Sequence, residues 1–409
     1  MYLSFNSSVD KSKCSGCGAC VQLCPKKCIE LTEDNNGFLF PVVDNTQCVE
    51  CHMCEKVCPI MHKPEILDRI EAPYMIAAKS KDKNEIVKAS SGGAFGSIVE
   101  VLSSEGKWTV YGAVLNEQLK VVHDCRNTGE NMDCFHKSKY VQSNLKNTYK
   151  DIEEMLSNRG KVVFSGTPCQ VAGLINYLSI KKINRDGLFC IDLICHGVPS
   201  QKLFDRYIEE EEKVYHNKIS YVEFRHKIKK GIRRKWDSRN LLLKLENGKE
   251  VNRNRYTSRY LRAYHAFLFY RESCHKCPYA NEKRNGDITI ADFWGIKKFY
   301  QKLDVDNGIS LVQANTEIGK VIVEKLDGYM EIYPIERDAY LQLTSGAMVQ
   351  SSPANRNRAQ FLQYVENHSF FSSVDKFIPK YKEFVKVEIM RRLDPKIRKK
   401  VKQMMRKNS

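Results

Sequence analysis

Two cysteine runs constrain this chain more than any other feature. Cys14, Cys17, Cys20 and Cys24 precede Pro25, and Cys48, Cys51, Cys54 and Cys58 precede Pro59. Both follow C-x2-C-x2-C-x3-C-P, the spacing in which one loop wraps three thiolates around a cubane and the fourth Cys ligates the other cluster. Cluster one is therefore expected on Cys14, Cys17, Cys20 and Cys58, and cluster two on Cys48, Cys51, Cys54 and Cys24. Structural zinc is the competing reading, but zinc sites favour two spaced ligand pairs over three close thiolates and a trailing fourth. Between the runs, Asn35-Asn36-Gly37 is a hairpin signal flanked by short apolar stretches. Cys28 is left over and reads as a small buried side chain.

A chain of 409 residues, 42% hydrophobic, has room for two to four domains. No apolar run approaches the ~18 residues of a membrane span. The start, Met1 to Lys13, lacks a signal-peptide core. With cysteines grouped for metal and no export signal, the expected compartment is a reducing cytoplasm. The formal charge of +17 is uneven: residues 225–262 hold 14 Lys/Arg against 3 Asp/Glu, and residues 377–409 hold 12 against 3. An oxidised four-thiolate cluster adds about −2, which would make the amino-terminal module acidic beside two basic stretches. These stretches suit an anionic redox partner or small-molecule donor or acceptor. They lack a nucleic-acid-binding motif, so nucleic acid is not expected. The basic tail is a candidate for contact with an acidic protein or membrane surface.

Residues 1–62 read as a dicluster ferredoxin module and 63–73, bounded by Pro64 and Pro73, as a linker. Residues 74–157 and 158–335 read as the two parts of an α/β core, a mostly parallel sheet with helices, and 336–409 as a helical basic tail. Ser91-Gly92-Gly93 opens a helical pattern, where backbone N–H groups could meet a phosphate; an ordinary glycine-rich turn is the equal alternative. Val162-Val163-Phe164 is a short strand running through Ser165-Gly166-Thr167-Pro168 into a helix whose first turn carries Cys169. The helix start there should favour a thiolate. A second strand, Leu188 to Ile194, ends at Cys195-His196-Gly197. If the strands are parallel, both cysteines lie on the edge where sites collect. Cys274 and Cys277 form a C-x2-C step, half of a zinc site or, with Cys169 and Cys195, a third four-thiolate cluster. His196 and His275 then read as neighbours, and Cys125, Cys134 and Cys190 as structural.

These residues resemble a known family. Ser91-Gly92-Gly93, Lys139-Tyr140, Gly166-Thr167-Pro168-Cys169-Gln170, Cys195-His196-Gly197, Cys274-x2-Cys277 and Gly286-Asp287 through Asp292-Phe293-Trp294-Gly295 look like the beta subunits of coenzyme F420-reducing hydrogenases and dehydrogenases. The likeness runs from Cys14 to about Asn315. It implies FAD on an α/β core beside a [4Fe–4S] cluster, with Ser91, Gly92, Gly93, Lys139, Asp287, Asp292 and Trp294 lining the flavin. It implies an oxidoreductase passing electrons between [4Fe–4S] clusters, FAD and a two-electron substrate. That substrate is a deazaflavin coenzyme or, as in bacterial relatives at surface-polysaccharide loci, a different one. An electron-transfer subunit feeding a separate catalytic protein is the alternative. No catalytic residue is assigned.

Overall fold

The computed structural model describes residues 10–228, 240–336 and 348–378. The amino-terminal module holds a short helix within each cysteine run, α1 (Ala19–Leu23) and α2 (Met53–Lys56). Between them strands β1 (Ile29–Glu33) and β2 (Leu39–Val43) pair antiparallel. The turn at Gly37 has φ +80°, and a Cβ there would stand 2.3 Å from Lys202. The hairpin tip is therefore seated on the core.

Chain order then gives β3 (Arg69–Ser80), α3 (Lys83–Lys88), α4 (Ala94–Ser104), β4 (Thr109–Leu115), β5 (Val121–Asn127), α5 (Thr148–Ser157), β6 (Val162–Gly166), α6 (Pro168–Ile180) and β7 (Leu188–Leu193). After α7 (Gln201–Tyr215) come β8 (Ile219–Phe224), β9 (Asn240–Leu245), β10 (Glu250–Asn254) and α8 (Arg259–His265). The described chain continues with β11 (Ile288–Asp292), β12 (Ser310–Thr316), α9 (Glu317–Lys325), β13 (Met330–Pro334), α10 (Arg358–Asn367) and α11 (Phe370–Phe377). Strand β3 begins inside the stretch expected to be a linker.

One sheet of eight strands runs β13-β3-β12-β11-β7-β6-β4-β5. The central four, β11, β7, β6 and β4, are parallel. Antiparallel partners flank them on both sides. The core is thus α/β with a mixed sheet, five strands pointing one way and three the other. Strands from before and after residue 157 interleave in it, so both expected parts build one sheet.

The two faces bury different partners. Ile76, Val163, Ile191 and Val312 pack against Ile98, Val99, Ile322 and Val323 of α4 and α9. On the other face, Val162 and Phe164 pack with Tyr149, Ile152, Leu174 and Ile175 of α5 and α6, and this same core takes in Cys17, Ala19, Cys20 and Leu23. Burying a side chain of that size contributes about 1.5–3 kcal/mol, so the module is anchored to α6 rather than tethered by a linker. A third core joins α7, α8 and the sheet β10-β9-β8 to Phe361, Val365, Phe370 and Val374. Residues 358–378, expected in a basic tail, are therefore core; the basic run from Lys380 lies outside the described residues. Among the described residues no helix is long and apolar enough to cross a membrane.

Candidate functional site

In the module, Cys14, Cys17, Cys20 and Cys58 line one small cavity, closed by Gly16, Gly18, Leu31, Pro41 and Pro59. Gly16 and Gly18 have φ +67° and +72°. At the corresponding places of the second run, Glu50 and His52 have φ +51° and +56°. The runs share one backbone trace, and the second adopts it against the steric preference of its residues. Cys24 packs with Cys28, Cys48 and Cys54. Cys28 is more than filler: its Sγ is 3.5 Å from Cys24 Sγ. Burial, the Cys24 thiol and the charges of Cys24 and Cys48 push the Cys28 thiol up to about 12. Cys51 is exposed.

Cys169, Cys195, Cys274 and Cys277 line a second, larger cavity. Strands β6 and β7 pair in parallel, Gly166 opposite Asp192, so the turns after them open on one edge. Thr167 caps α6 in a capping box with Gln170, and Pro168 takes the first helical position; Cys169 follows. Gly197 has φ +127°, and a Cβ there would meet the Tyr270 ring at 2.4 Å, which brings the loop after Cys195 against the segment carrying Cys274. That cysteine lies in a 3-10 turn, Glu272–Lys276, and Cys277 follows it.

Burial dominates the electrostatics of these thiols. Burial raises Cys169 against the opposing pull of Thr167, Arg271 and Ser15. Desolvation acts against the thiolate at this helix start. Burial, then Cys274 and Cys169, hold Cys195 well above the usual thiol range. Burial pushes Cys274 up to about 12 and Cys277 up to about 11. The four thiols, each of intermediate exposure, would repel one another as thiolates, and a cationic core held among them would compensate that charge. His196 lines the cavity. His275 Nδ1 is 3.1 Å from the Ser352 carbonyl.

The cavity has a volume of about 580 Å³ and opens along the carboxyl ends of β6, β7 and β11. Tyr140, Tyr264, Phe267, Phe293 and Trp294 give it an aromatic wall, with Tyr140 stacked on Tyr264 at 4.4 Å. Lys137, Lys139, Arg225 and Asp292 give it a charged end. Arg225 is buried and grips Asp292 with both arms, at 2.5 and 2.7 Å. Lys139 donates to the Cys134 and His136 carbonyls, both at 2.8 Å. Burial brings its ammonium down to about 7, and burial with the charges of Lys137 and Arg225 does the same to Lys227.

Of the seven residues expected around a flavin, Ser91, Gly93, Lys139, Asp292 and Trp294 line this cavity. Gly92 and Asp287 do not. The Gly92 N–H donates to Ser310 Oγ at 3.0 Å, and a Cβ on Gly92 would be 2.4 Å from the Ala78 carbonyl. Its lack of a side chain serves strand packing rather than a phosphate. Asp287 sits at the far end of β11, accepting from the Cys190 N–H at 2.7 Å and the Thr316 hydroxyl at 2.9 Å. At the start of α4 the anion is internal: Cβ atoms on Gly93 and Gly96 would meet the Glu85 side chain at 3.0 and 2.3 Å. A pyrophosphate there would compete with that carboxylate.

The basic stretch 225–262 also reads differently in three dimensions. Arg253 pairs with Glu211 at 2.8 Å, and Arg259 and Arg262 both pair with Asp375. With Arg225 on Asp292, much of the described charge is spent inside the molecule; Arg233 and Arg234 lie outside the described residues. Arg225 and Glu85 line the cavity without having stood out in the sequence: Arg225 lies in a charge run that carries no signal of which members turn inward, and Glu85 belongs to no motif.

Residues 159–338 match the family built on the carboxy-terminal part of the coenzyme F420 hydrogenase/dehydrogenase beta subunit. Residues 13–61 match the 4Fe-4S dicluster domain. Among curated proteins none matches. Among solved structures the chain is similar to one described as a xenon derivatization of the F420-reducing [NiFe] hydrogenase complex from Methanosarcina barkeri. The identity is 20%, covering 76% of this chain and 92% of that chain, with a TM-score of 0.44.

Proposed function

We propose, from the match of residues 13–61 to the 4Fe-4S dicluster domain and of residues 159–338 to the coenzyme F420 hydrogenase/dehydrogenase beta-subunit family, that the chain is an iron–sulfur flavoprotein oxidoreductase. It would carry the two module clusters, a third [4Fe–4S] cluster on Cys169, Cys195, Cys274 and Cys277, and FAD. One observation carries the reading. The four cysteines, the aromatic wall, and Ser15 and Ile60 of the module all line the same cavity, whose size and largely apolar lining suit a cofactor. When bound, the clusters supply single electrons and the flavin one or two, which couples one-electron carriers to a two-electron substrate.

The chain's own residues have separable tasks in this scheme. The aromatic wall excludes water and offers flat faces to a fused-ring system. The Arg225–Asp292 pair fixes the charged end of the cavity. Lys139, titrating near neutrality, supplies a cation for an anionic substrate such as a deazaflavin coenzyme with an acidic tail. A second reading, an electron-transfer subunit feeding a separate catalytic protein, is favoured by the beta-subunit description of the family.

Anaerobic purification with iron, sulfide and flavin analysis tests the proposal. About twelve irons and one flavin per chain are expected from three cubanes; about eight irons and no flavin would remove the inner site. Turnover of a deazaflavin acceptor by the purified chain separates the enzyme from the subunit, which would need its partner.

A further inference from the structure

Arg271 and Arg284 are the largest fully buried side chains among the described residues, and Arg271, 1% exposed, ties the Cys14 loop to the segments that carry Cys195 and Cys274. Its N–H donates to the Val198 carbonyl at 2.9 Å, in the loop that follows Cys195, and its carbonyl accepts from the Cys274 N–H at 3.1 Å. The guanidinium reaches into the module. Nε donates to the Cys14 carbonyl at 2.7 Å, Nη2 to the Leu39 carbonyl at 2.7 Å, and Nη1 to Gln142 Oε1 at 3.2 Å. Nη2 is also 3.8 Å from Cys14 Sγ. The cation lies over the Phe40 ring, 4.3 Å from its centroid. Gly16 has no room for a Cβ, which would sit 2.9 Å from the guanidinium and from Gln142. Gln142 in turn donates to the Ser15 carbonyl at 2.9 Å. No acidic side chain is among these partners; the guanidinium is solvated by carbonyls, an amide, a ring and a cysteine sulfur.

We propose that Arg271 is the positioning residue that couples the module to the inner site: it clamps the Cys14 loop and sets the reduction potential of the Cys14–Cys17–Cys20–Cys58 centre above that of the Cys24–Cys48–Cys51–Cys54 centre. This rests on the cluster assignment above. A buried cation beside a cluster ligand favours the reduced form, which carries one more negative charge. The clamp also explains which centre faces inward. Cys17 Sγ lies against α6, 3.2 Å from where a Gly173 Cβ would be, whereas Cys51 of the other centre is exposed.

The test is an EPR-monitored redox titration of the full chain, loaded anaerobically, for wild type, Arg271→Gln and Arg271→Lys. Removing the charge is expected to shift the electron-sharing equilibrium between the two module centres at least tenfold, about 59 mV for a one-electron couple, by lowering the Cys14 centre and leaving the Cys24 centre in place. Arg271→Lys should restore most of that shift. Equal movement of both centres, no movement, or identical behaviour of the two variants overturns the proposal. If Arg271→Gln does not fold, Gly16→Ala displaces the guanidinium while keeping its charge, and should move the same centre in the same direction by less; an unmoved centre again overturns the proposal. Iron analysis keeps the failures apart: a chain short of eight irons fails the cluster assignment, while a fully loaded chain with unshifted potentials fails only the role of Arg271.

Discussion

The module and the sheet edge assemble their cysteines in opposite ways. The module draws eight from 45 consecutive residues, Cys14 to Cys58, and the spacing itself dictates the wrap. The sheet edge draws Cys169 and Cys195 from the ends of two parallel strands and Cys274 and Cys277 from a distant turn. None of these pieces encodes the others. A local motif carries its geometry in its spacing; a dispersed one exists only where the fold has brought its parts together.

Losing one sheet-edge ligand breaks the comparison most directly. Cys195→Ser should remove about four irons per chain and leave the module's eight, read by iron analysis and EPR. The reverse experiment exposes an asymmetry within the module. Cys51→Ser, at an exposed position, should leave the larger cavity undisturbed. Cys17→Ser should alter it, because Cys17 shares a hydrophobic core with α6. Flavin content unchanged in both variants would mean that the module is independent after all.

The buried ion pair tests how far the edge depends on the fold. Arg225→Met leaves Asp292 an unpartnered carboxylate and should cost about 3 kcal/mol, measured by thermal or denaturant unfolding, with the module's iron retained. A smaller effect belongs to Lys139. Burial depresses its ammonium, so the charged form prevails below about pH 7 and the neutral form above it. Affinity for an anionic deazaflavin, followed by its fluorescence, should fall as pH rises through 7, by up to about tenfold per unit. Lys139→Met should bind weakly with no such slope, and a slope retained in that variant would assign the titration elsewhere.

Much of this was legible in the residues, and the failures have physical causes. The C-x2-C-x2-C-x3-C-P spacing and the strand-to-helix turns at Cys169 and Cys195 are local signals. Strand direction is not: apolar periodicity is the same for a parallel and an antiparallel neighbour, so the reversal of β5, β12 and β13 left no trace. Gly92 and Asp287 sat in motif-like surroundings, yet their partners, Ser310, Cys190 and Thr316, are far away in sequence. Pro64 and Pro73 suggested a linker where β3 already runs from Arg69. The inward turn of Arg225 depends on Asp292, 67 residues later.

Synthesis of the chain gives the Arg271 clamp a temporal meaning. The Cys14 carbonyl and the Arg271 side chain that holds it are 257 positions apart. At ribosomal rates of about 5–20 residues per second, the arginine follows the cysteine by roughly 13 to 50 s. Asn176, which donates to the Val57 and His62 carbonyls, comes earlier in that interval, and Tyr279, whose hydroxyl donates to the Pro59 carbonyl, comes after it. Throughout that delay the Cys14 loop lacks its arginine, even after α5 and α6 have been made to pack on Cys17 and Cys20, and on that side it is open to whatever machinery delivers iron and sulfide. Once the arginine is in place the loop is sealed from that side. On the proposed cluster assignment, metal delivery to the first eight cysteines would have a natural window before the clamp closes, whereas the four at the sheet edge could not be offered a metal until Cys277 has been made.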